Sequence, residues 1–266
     1  MNKFIQVLTI AGSDSDGSAG AQADLKTFMA CGVYGMSVLT AAVAGNSYGI
    51  HDNVNMPISF IKNEIKDIKD DFKVSAFKTG MLSDSEIITT VANEIKDKPF
   101  GKFILDPVIS TKHGAMLLEP DAYQTLIDEL FPLADLITPN YYEAQKLSGL
   151  KLESKDEIIT AAKMLRKLGP KNIMIKGQHN DNNISTVEDY VLLEDGTSFW
   201  ISEPYVETTH VNGTGDTLSS CIVAEIAKGQ TMDQAIRTAK TFTYEAIKNE
   251  IDVGHKFGPV NHLIKI

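Results

Sequence analysis

The sequence is short of most features that announce a specialised class of protein. Among its 266 residues are two cysteines and one tryptophan. Cys31 and Cys221 stand in unrelated settings and cannot form a disulfide framework. They read as free thiols of a reducing compartment, packed as small apolar side chains. No apolar run approaches the roughly 18 residues of a membrane span. The first ten residues carry one early Lys before a short apolar run, with no cleavage site after it. The expectation is a cytoplasmic protein without a membrane partner. Basic charge is scarce too: 25 Lys and Arg stand against 35 Asp and Glu, a formal net charge of −10. Such a surface repels nucleic acid, so no nucleic-acid partner is expected. A polyphosphate ligand would need locally placed backbone amides and selected lysines. The six histidines lack metal-ligand spacing, and His210, His255 and His262 read as ordinary polar residues.

What is present is an alternating pattern. Continuously apolar, β-branched runs at Val7–Ile10, Ser37–Val43, Ala76–Lys78, Phe103–Leu105, Leu136–Thr138 and Ile173–Lys176 read as buried strands. Amphipathic segments lie between them: Gln22–Cys31, Ile58–Lys69, Ser83–Ile95, Asp121–Phe131, Tyr141–Leu147 and Lys155–Leu168. This alternation predicts βαβ crossovers and an α/β fold, with a doubly wound, mostly parallel sheet. Later, Tyr190–Leu193 and Ser198–Ser202 flank a turn containing Asp195-Gly196, a hairpin signal. Helices over Thr214–Lys228 and Met232–Asn249 follow. No repeat or linker divides the chain, so residues 1–266 read as one domain. Ligands of such sheets bind beyond the carboxyl ends of the strands, and the conspicuous motifs all lie at such ends.

The strongest motif is Asn212-Gly213-Thr214-Gly215-Asp216-Thr217-Leu218, opening an apolar helix. Its glycines let successive amides point into one concavity at a helix N-terminus, which favours an anion. Phosphoryl transfer needs such preorganised donors. Asp216, on the first turn, is placed to accept the proton of an attacking hydroxyl; the plainer reading is a favourable acid at a helix start. After the first strand, Gly12, Gly17 and Gly20 are spaced G-x4-G-x2-G, which fits neither the dinucleotide fingerprint nor a P-loop. The acids of that loop suit a polar substrate with ring nitrogens or an amino group, with Asp24 as the candidate acceptor. Thr138-Pro139-Asn140-Tyr141-Tyr142-Glu143 admits two compatible readings. Asn140 and Glu143 can hold Mg²⁺ through water, or form a capping box, one carboxylate oxygen capping while the other faces solvent. Asp106 can add a carboxylate near metal-bound water, or simply end a strand. Lys176 is a candidate nucleotide-phosphate contact, and Met81 either lines an aromatic substrate or packs in the core.

Together these stretches resemble the hydroxymethylpyrimidine/phosphomethylpyrimidine kinases of thiamin biosynthesis, within the ribokinase-like superfamily. The resemblance is carried by Leu8–Asp14, Gln22–Phe28, Val33–Met36, Lys78–Leu82, Asp106-Pro107-Val108, Thr138-Pro139-Asn140, Lys176-Gly177, Gly213-Thr214-Gly215 and the closing Gly258-Pro259-Val260-Asn261-His262, in collinear order. It implies a ribokinase-like central sheet flanked by helices on both faces, ATP and Mg²⁺ as cofactors, and a homodimer. It further implies that Asp24, Met81 and Val108 contact the pyrimidine, Asn140 and Lys176 the nucleotide, and Glu143 the magnesium, with the amides of Gly213–Asp216 as the anion hole. Three positions depart from the family. Asp216 replaces its usual Cys, Asn212 its frequent His, and Gly45 its usual Gln beside the substrate ring. Asp216 is the superfamily's usual base and strengthens the kinase reading. The expected partner is a small pyrimidine or pyridine alcohol, with a pyridoxine or pyridoxal kinase as the nearest alternative. A nicotinamide oxidoreductase or a silent binding protein are more distant ones, opposed by the missing dinucleotide fingerprint and by the retained Gly213–Asp216 set.

Overall fold

The computed structural model describes residues 4–109, 117–178 and 184–264. Among them nine strands form one sheet in the order β3-β2-β1-β4-β5-β6-β7-β8-β9. The strands are β1 (Gln6–Asp14), β2 (Tyr34–Asn46), β3 (Gly49–Asn55), β4 (Val74–Thr79), β5 (Lys102–Leu105), β6 (Leu136–Ile137), β7 (Asn172–Ile175), β8 (Thr186–Leu192) and β9 (Ser198–Pro204). Strands β2, β1, β4, β5, β6 and β7 run parallel, while β3, β8 and β9 pair antiparallel at the two edges. The chain moves outward from β1 first to β2 and then, on the other side, to β4. Strand β1 is therefore the switch point where a crevice opens in a doubly wound sheet.

The central parallel strands are mostly apolar because both faces are covered. Leu8, Ile10, Phe77, Phe103, Leu105, Ile137, Ile173 and Ile175 belong to one buried cluster. Their alternating neighbours Val7, Ala76, Ile104, Leu136 and Met174 belong to another. The first face is covered by α2 (Ile58–Asp71), α3 (Ser85–Ile95), α5 (Tyr141–Ser148) and α6 (Lys155–Arg166). The second is covered by α1 (Gly20–Ala30), α7 (Thr214–Ala227) and α8 (Met232–Lys248). This two-residue period fixes which way polar strand residues point. Lys78 follows Phe77 and shares the parity of Ala76, so it faces α1 and α7; Thr9 shares the parity of Val7 and does the same.

Local chemistry sets the helix limits. Asp84 caps α3 by accepting from the Ile87 amide at 2.8 Å, and Thr231 forms a capping box with Gln234 on α8. The expected helix over Asp121–Phe131 is only partly regular: α4 (Ala122–Thr125) passes into a π turn, Leu126–Leu130, and a 3-10 turn, Phe131–Leu133. Pro132 in that last turn has no amide to continue the ladder. The hairpin turn at Gly196 has φ +89°, and Asp195 accepts from the Thr197 amide at 2.8 Å. Strand β3, absent from the expectations, is exposed along its length and exists through its ladder to β2. The two cysteines, expected to be unrelated, meet: Cys31 caps the C-terminus of α1 and its sulfur lies 3.6 Å from that of Cys221 on α7. Among the described residues no helix is long and apolar enough to cross a membrane.

Candidate active site

The mouth of α7 is shaped by two glycines. Gly213, at the N-cap, has φ +79°, and a Cβ there would lie 2.1 Å from the Ser18 carbonyl oxygen. Only glycine combines that backbone conformation with that approach. At Gly215 a Cβ would lie 3.3 Å from both the Asp106 carboxylate and the Lys176 ammonium. The orphan amides of the first helical turn thus open directly beneath a charged pair. Thr214 donates its hydroxyl to the Val211 carbonyl at 2.7 Å, tying the entry into the helix. The closing segment of the chain supports the same entry from behind: Asn212 and Pro259 form a parallel bridge, and His262 Nε2 meets the Thr217 hydroxyl at 3.0 Å. Burial, aided by Lys26, pulls the His262 pKa down to about 4, so its imidazole is neutral.

Charged side chains from three strand ends and three helices converge above this mouth. On one side Lys78, at 0% exposure, donates to Asp24 Oδ1 at 2.5 Å and lies 3.7 Å from Asp216. Asp24 also accepts from the Thr9 hydroxyl at 2.6 Å and the Ser220 hydroxyl at 2.7 Å. On the other side Lys176 lies 3.3 Å from Asp106, whose second oxygen receives the Ser219 hydroxyl at 3.5 Å. Glu143 completes the set, its field reaching Lys176 and Asp106. Burial drives the Asp216 carboxyl up to about 7; Lys78 opposes the rise, and the negative charges of Asp24 and Asp106 add to it. Burial likewise raises Glu143 to about 7, against Lys176 and with Asp106. Burial disfavours the Lys78 ammonium, but Asp24, Asp216 and Asp106 outweigh it, so its pKa sits above the ordinary lysine value. Lys176 behaves in the same way through Asp106 and Glu143. A carboxyl titrating near neutrality beside fixed cations is suited to proton transfer.

The other expected residues fall around this centre. Asn140 and Glu143 form a complete capping box on α5: Asn140 Oδ1 accepts from the Glu143 amide at 2.9 Å, and Glu143 Oε2 from the Asn140 amide at 2.8 Å. The second Glu143 oxygen, expected at solvent, instead accepts from the Ile109 amide at 2.9 Å, and the residue is 2% exposed. Asp24, expected against a substrate ring, is enclosed at 0% exposure with its oxygens committed to Thr9, Lys78 and Ser220. It reaches the centre through Lys78. Met81 is half-buried beneath Gly12, where a Cβ would meet its Cε at 2.7 Å. Val108 holds φ +44°, a strained conformation for a β-branched residue, directly between Asp106 and the Ile109 amide that Glu143 binds. Gly45 lies on β2, its carbonyl accepting from the Ser15 hydroxyl at 3.0 Å; a Cβ there would meet the Gly49 carbonyl at 3.1 Å. The acids of the loop after β1 serve the loop itself, with Asp14 accepting from the Ala19 amide and the Ser18 hydroxyl.

Sequence reasoning passed over Lys78, Ser219 and Ser220. The signal for Lys78 was a lysine inside a strand otherwise buried on both sides; the serines on α7 carried none. The Lys176–Gly177 turn has a further support in Asp189, which accepts from the Gly177 amide at 2.8 Å and from Lys240 at 2.6 Å.

A doubly wound sheet with a glycine-shaped helix mouth, a carboxyl raised towards neutrality, a buried Lys78 and a half-buried Lys176 is the arrangement of a ribokinase-like small-molecule kinase. The sequence pattern of the family described as phosphomethylpyrimidine kinase matches residues 14–261, and the chain belongs to that family. A hydroxymethylpyrimidine/phosphomethylpyrimidine kinase of Haemophilus influenzae is 46% identical over 98% of each chain. The ADP complex of Bacillus subtilis pyridoxal kinase superposes with a TM-score of 0.88 at 37% identity, covering 98% of each chain. Staphylococcus aureus pyridoxal kinase with AMP-PCP and pyridoxal gives 0.89 at 31% identity, over 98% of this chain and 94% of the other.

Removing the Lys78 cation leaves Asp24 uncompensated in the interior, so Lys78→Met is expected to lower the unfolding free energy by about 3–5 kcal/mol in urea titrations. Adding Asp24→Asn should recover at least half of that loss; no recovery would mean that the pair is not coupled. Asp216 gives a pH signature. Between its unfolded pKa near 4 and its folded value of about 7, the folded chain holds a proton that the unfolded chain has released. Stability contributed by the protonated group is complete below the lower value and is lost as pH rises through the higher one. Wild type should therefore lose more thermal stability than Asp216→Asn on going from about pH 4 to pH 7. Parallel curves would contradict the raised pKa.

Proposed function

We propose that the chain transfers the terminal phosphoryl group of ATP to the hydroxymethyl group of 4-amino-5-hydroxymethyl-2-methylpyrimidine, and then a second to the monophosphate so formed, in thiamin biosynthesis. The observation that carries this reading is the Asp216 carboxyl on the first turn of α7, raised to about 7 and 3.7 Å from Lys78. An alcohol is a poor nucleophile until a base takes its proton. Asp216 is the group in position to do so, and Lys78 steadies its charged form. Amides of Gly213–Asp216 then offer donors to the oxygens of the migrating group, whose charge is spread in a loose transition state.

Lys176 suits the nucleotide phosphates, and Asn140 frames the same edge of the crevice. The residues fit a hard divalent cation: Asp106 keeps an oxygen with only a 3.5 Å contact, its charge is felt by Glu143, and the buried Thr138 hydroxyl just after β6 has no hydrogen-bond partner among the described residues. Mg²⁺ would be held by Asp106 and, through water, by Glu143, neutralising charge on the nucleotide. Gly12, Met81, Val108 and Gly45 border the space for the ring, and Asp24 orients Lys78 from behind. The whole chain serves this site as one domain. A pyridoxal kinase is the second reading, favoured by the two solved structures above and by the missing side chain at Gly45; turnover of pyridoxal and of the pyrimidine alcohol side by side separates the two.

The two transfers make unequal demands on Asp216, since the second acceptor is already an anion. Asp216→Asn is expected to slow formation of the monophosphate by about 10²–10⁴-fold and formation of the diphosphate far less. Product analysis by mass spectrometry, started separately from the alcohol and from the monophosphate, measures both steps. Equal losses would remove the general-base assignment.

A further inference from the structure

Where the C-terminal end of α1 meets the middle of α7, Cys31 and Cys221 bring their sulfurs to 3.6 Å across 190 residues of chain. They are the only two cysteines in the sequence. Their environments differ. Cys221 is fully buried in α7 at 0% exposure, whereas Cys31 is partly exposed at the C-terminus of α1. The next residue, Gly32, is exposed, so the chain reaches the surface directly after Cys31. The hydrogen bond shared between the thiols favours the Cys31 thiolate, burial opposes it, and the Lys228 cation assists. Contact with Cys31 and burial hold Cys221 in its thiol form. Glu225 lies beside both sulfurs, paired to Lys228 at 2.7 Å. A partly exposed thiol whose pKa is drawn down, in contact with a buried partner thiol, is the arrangement of an attacking and a resolving cysteine.

We propose that Cys31 and Cys221 are a redox modification site, which closes to an intramolecular disulfide by exchange with a small-molecule disulfide of the glutathione type. The Cys31 thiolate attacks one sulfur of the oxidant, breaking its S–S bond and releasing one thiolate. Cys221 then loses its proton to solvent and attacks the Cys31 sulfur, forming the protein disulfide and expelling the second small thiol. Two protein thiols are oxidised and one small disulfide is reduced to two thiols. The sulfurs must approach from 3.6 Å to about 2.05 Å, drawing the end of α1 towards α7. Asp24 on α1 already bonds Ser220 on α7 at 2.7 Å, so the new link would join the same two helices.

The test treats the native full-length protein with oxidised glutathione and reads intact mass and free thiols after denaturation. Wild type should lose two hydrogen atoms and both titratable thiols, carry no glutathione, and recover both thiols in dithiothreitol. Cys221→Ser should instead hold one glutathione on Cys31, while Cys31→Ser should stay unmodified because Cys221 is shielded. Cys221→Ala replaces Cys221→Ser if the latter fails to fold. Wild type that keeps both thiols, accumulates a stable glutathione adduct, or links chain to chain on a non-reducing gel would overturn the proposal. The readout is thiol chemistry alone, so its failure would leave the kinase reading intact.

Discussion

The site depends on alternating charges gathered at the carboxyl edge of the sheet: Asp24, Lys78 and Asp216 on one side, Asp106, Lys176 and Glu143 on the other. Buried charges are tolerable only when each has a partner and its remaining hydrogen-bonding capacity is filled. Asp24 meets that condition fully through Thr9, Lys78 and Ser220. Asp216 does not: its nearest cation stands at 3.7 Å, and its side chain keeps 19% exposure. The proposed function rests on that inequality. The satisfied acid anchors the lysine, and the under-satisfied acid, raised towards neutrality, is free to exchange a proton.

The fold makes this arrangement possible through the parity of its strands. With both faces of the parallel strands buried, a polar residue must point into one layer or the other, and its position in the strand decides which. Lys78 and Thr9 point towards α1 and α7 because their alternating neighbours pack on the opposite layer. Asp106, Asn140 and Lys176 leave the sheet at the carboxyl ends of β5, β6 and β7, where the helix mouth of α7 can reach them. Val108, strained at φ +44°, turns the chain so that Ile109 offers its amide to Glu143.

The architecture was legible where burial shaped the sequence. Continuous apolar runs gave the six parallel strands, and the Asp195-Gly196 turn gave the edge hairpin. Strand β3 was not legible, because a fully exposed strand in which Ile50 and Val54 stand alone among Gly, His, Asp and Asn bears no mark of burial. At the site, Asp216 and the Gly213–Gly215 turn were readable from helix-end chemistry, and Asn140 with Glu143 from their capping spacing. What one sequence could not give was pairing at long range. The 54-residue separation of Asp24 from Lys78 and the 196 residues between Asp24 and Ser220 are closed only by the crossovers, as is the contact of the two cysteines.

The raised carboxyl on α7 is most directly examined by ¹³C NMR titration of the aspartate side-chain carboxyls in the ligand-free protein, with Asp216→Asn to assign the resonance. The expected result is a midpoint for Asp216 at about 7. A midpoint near the ordinary aspartate value of about 4 would contradict the assignment of Asp216 as a base tuned by burial.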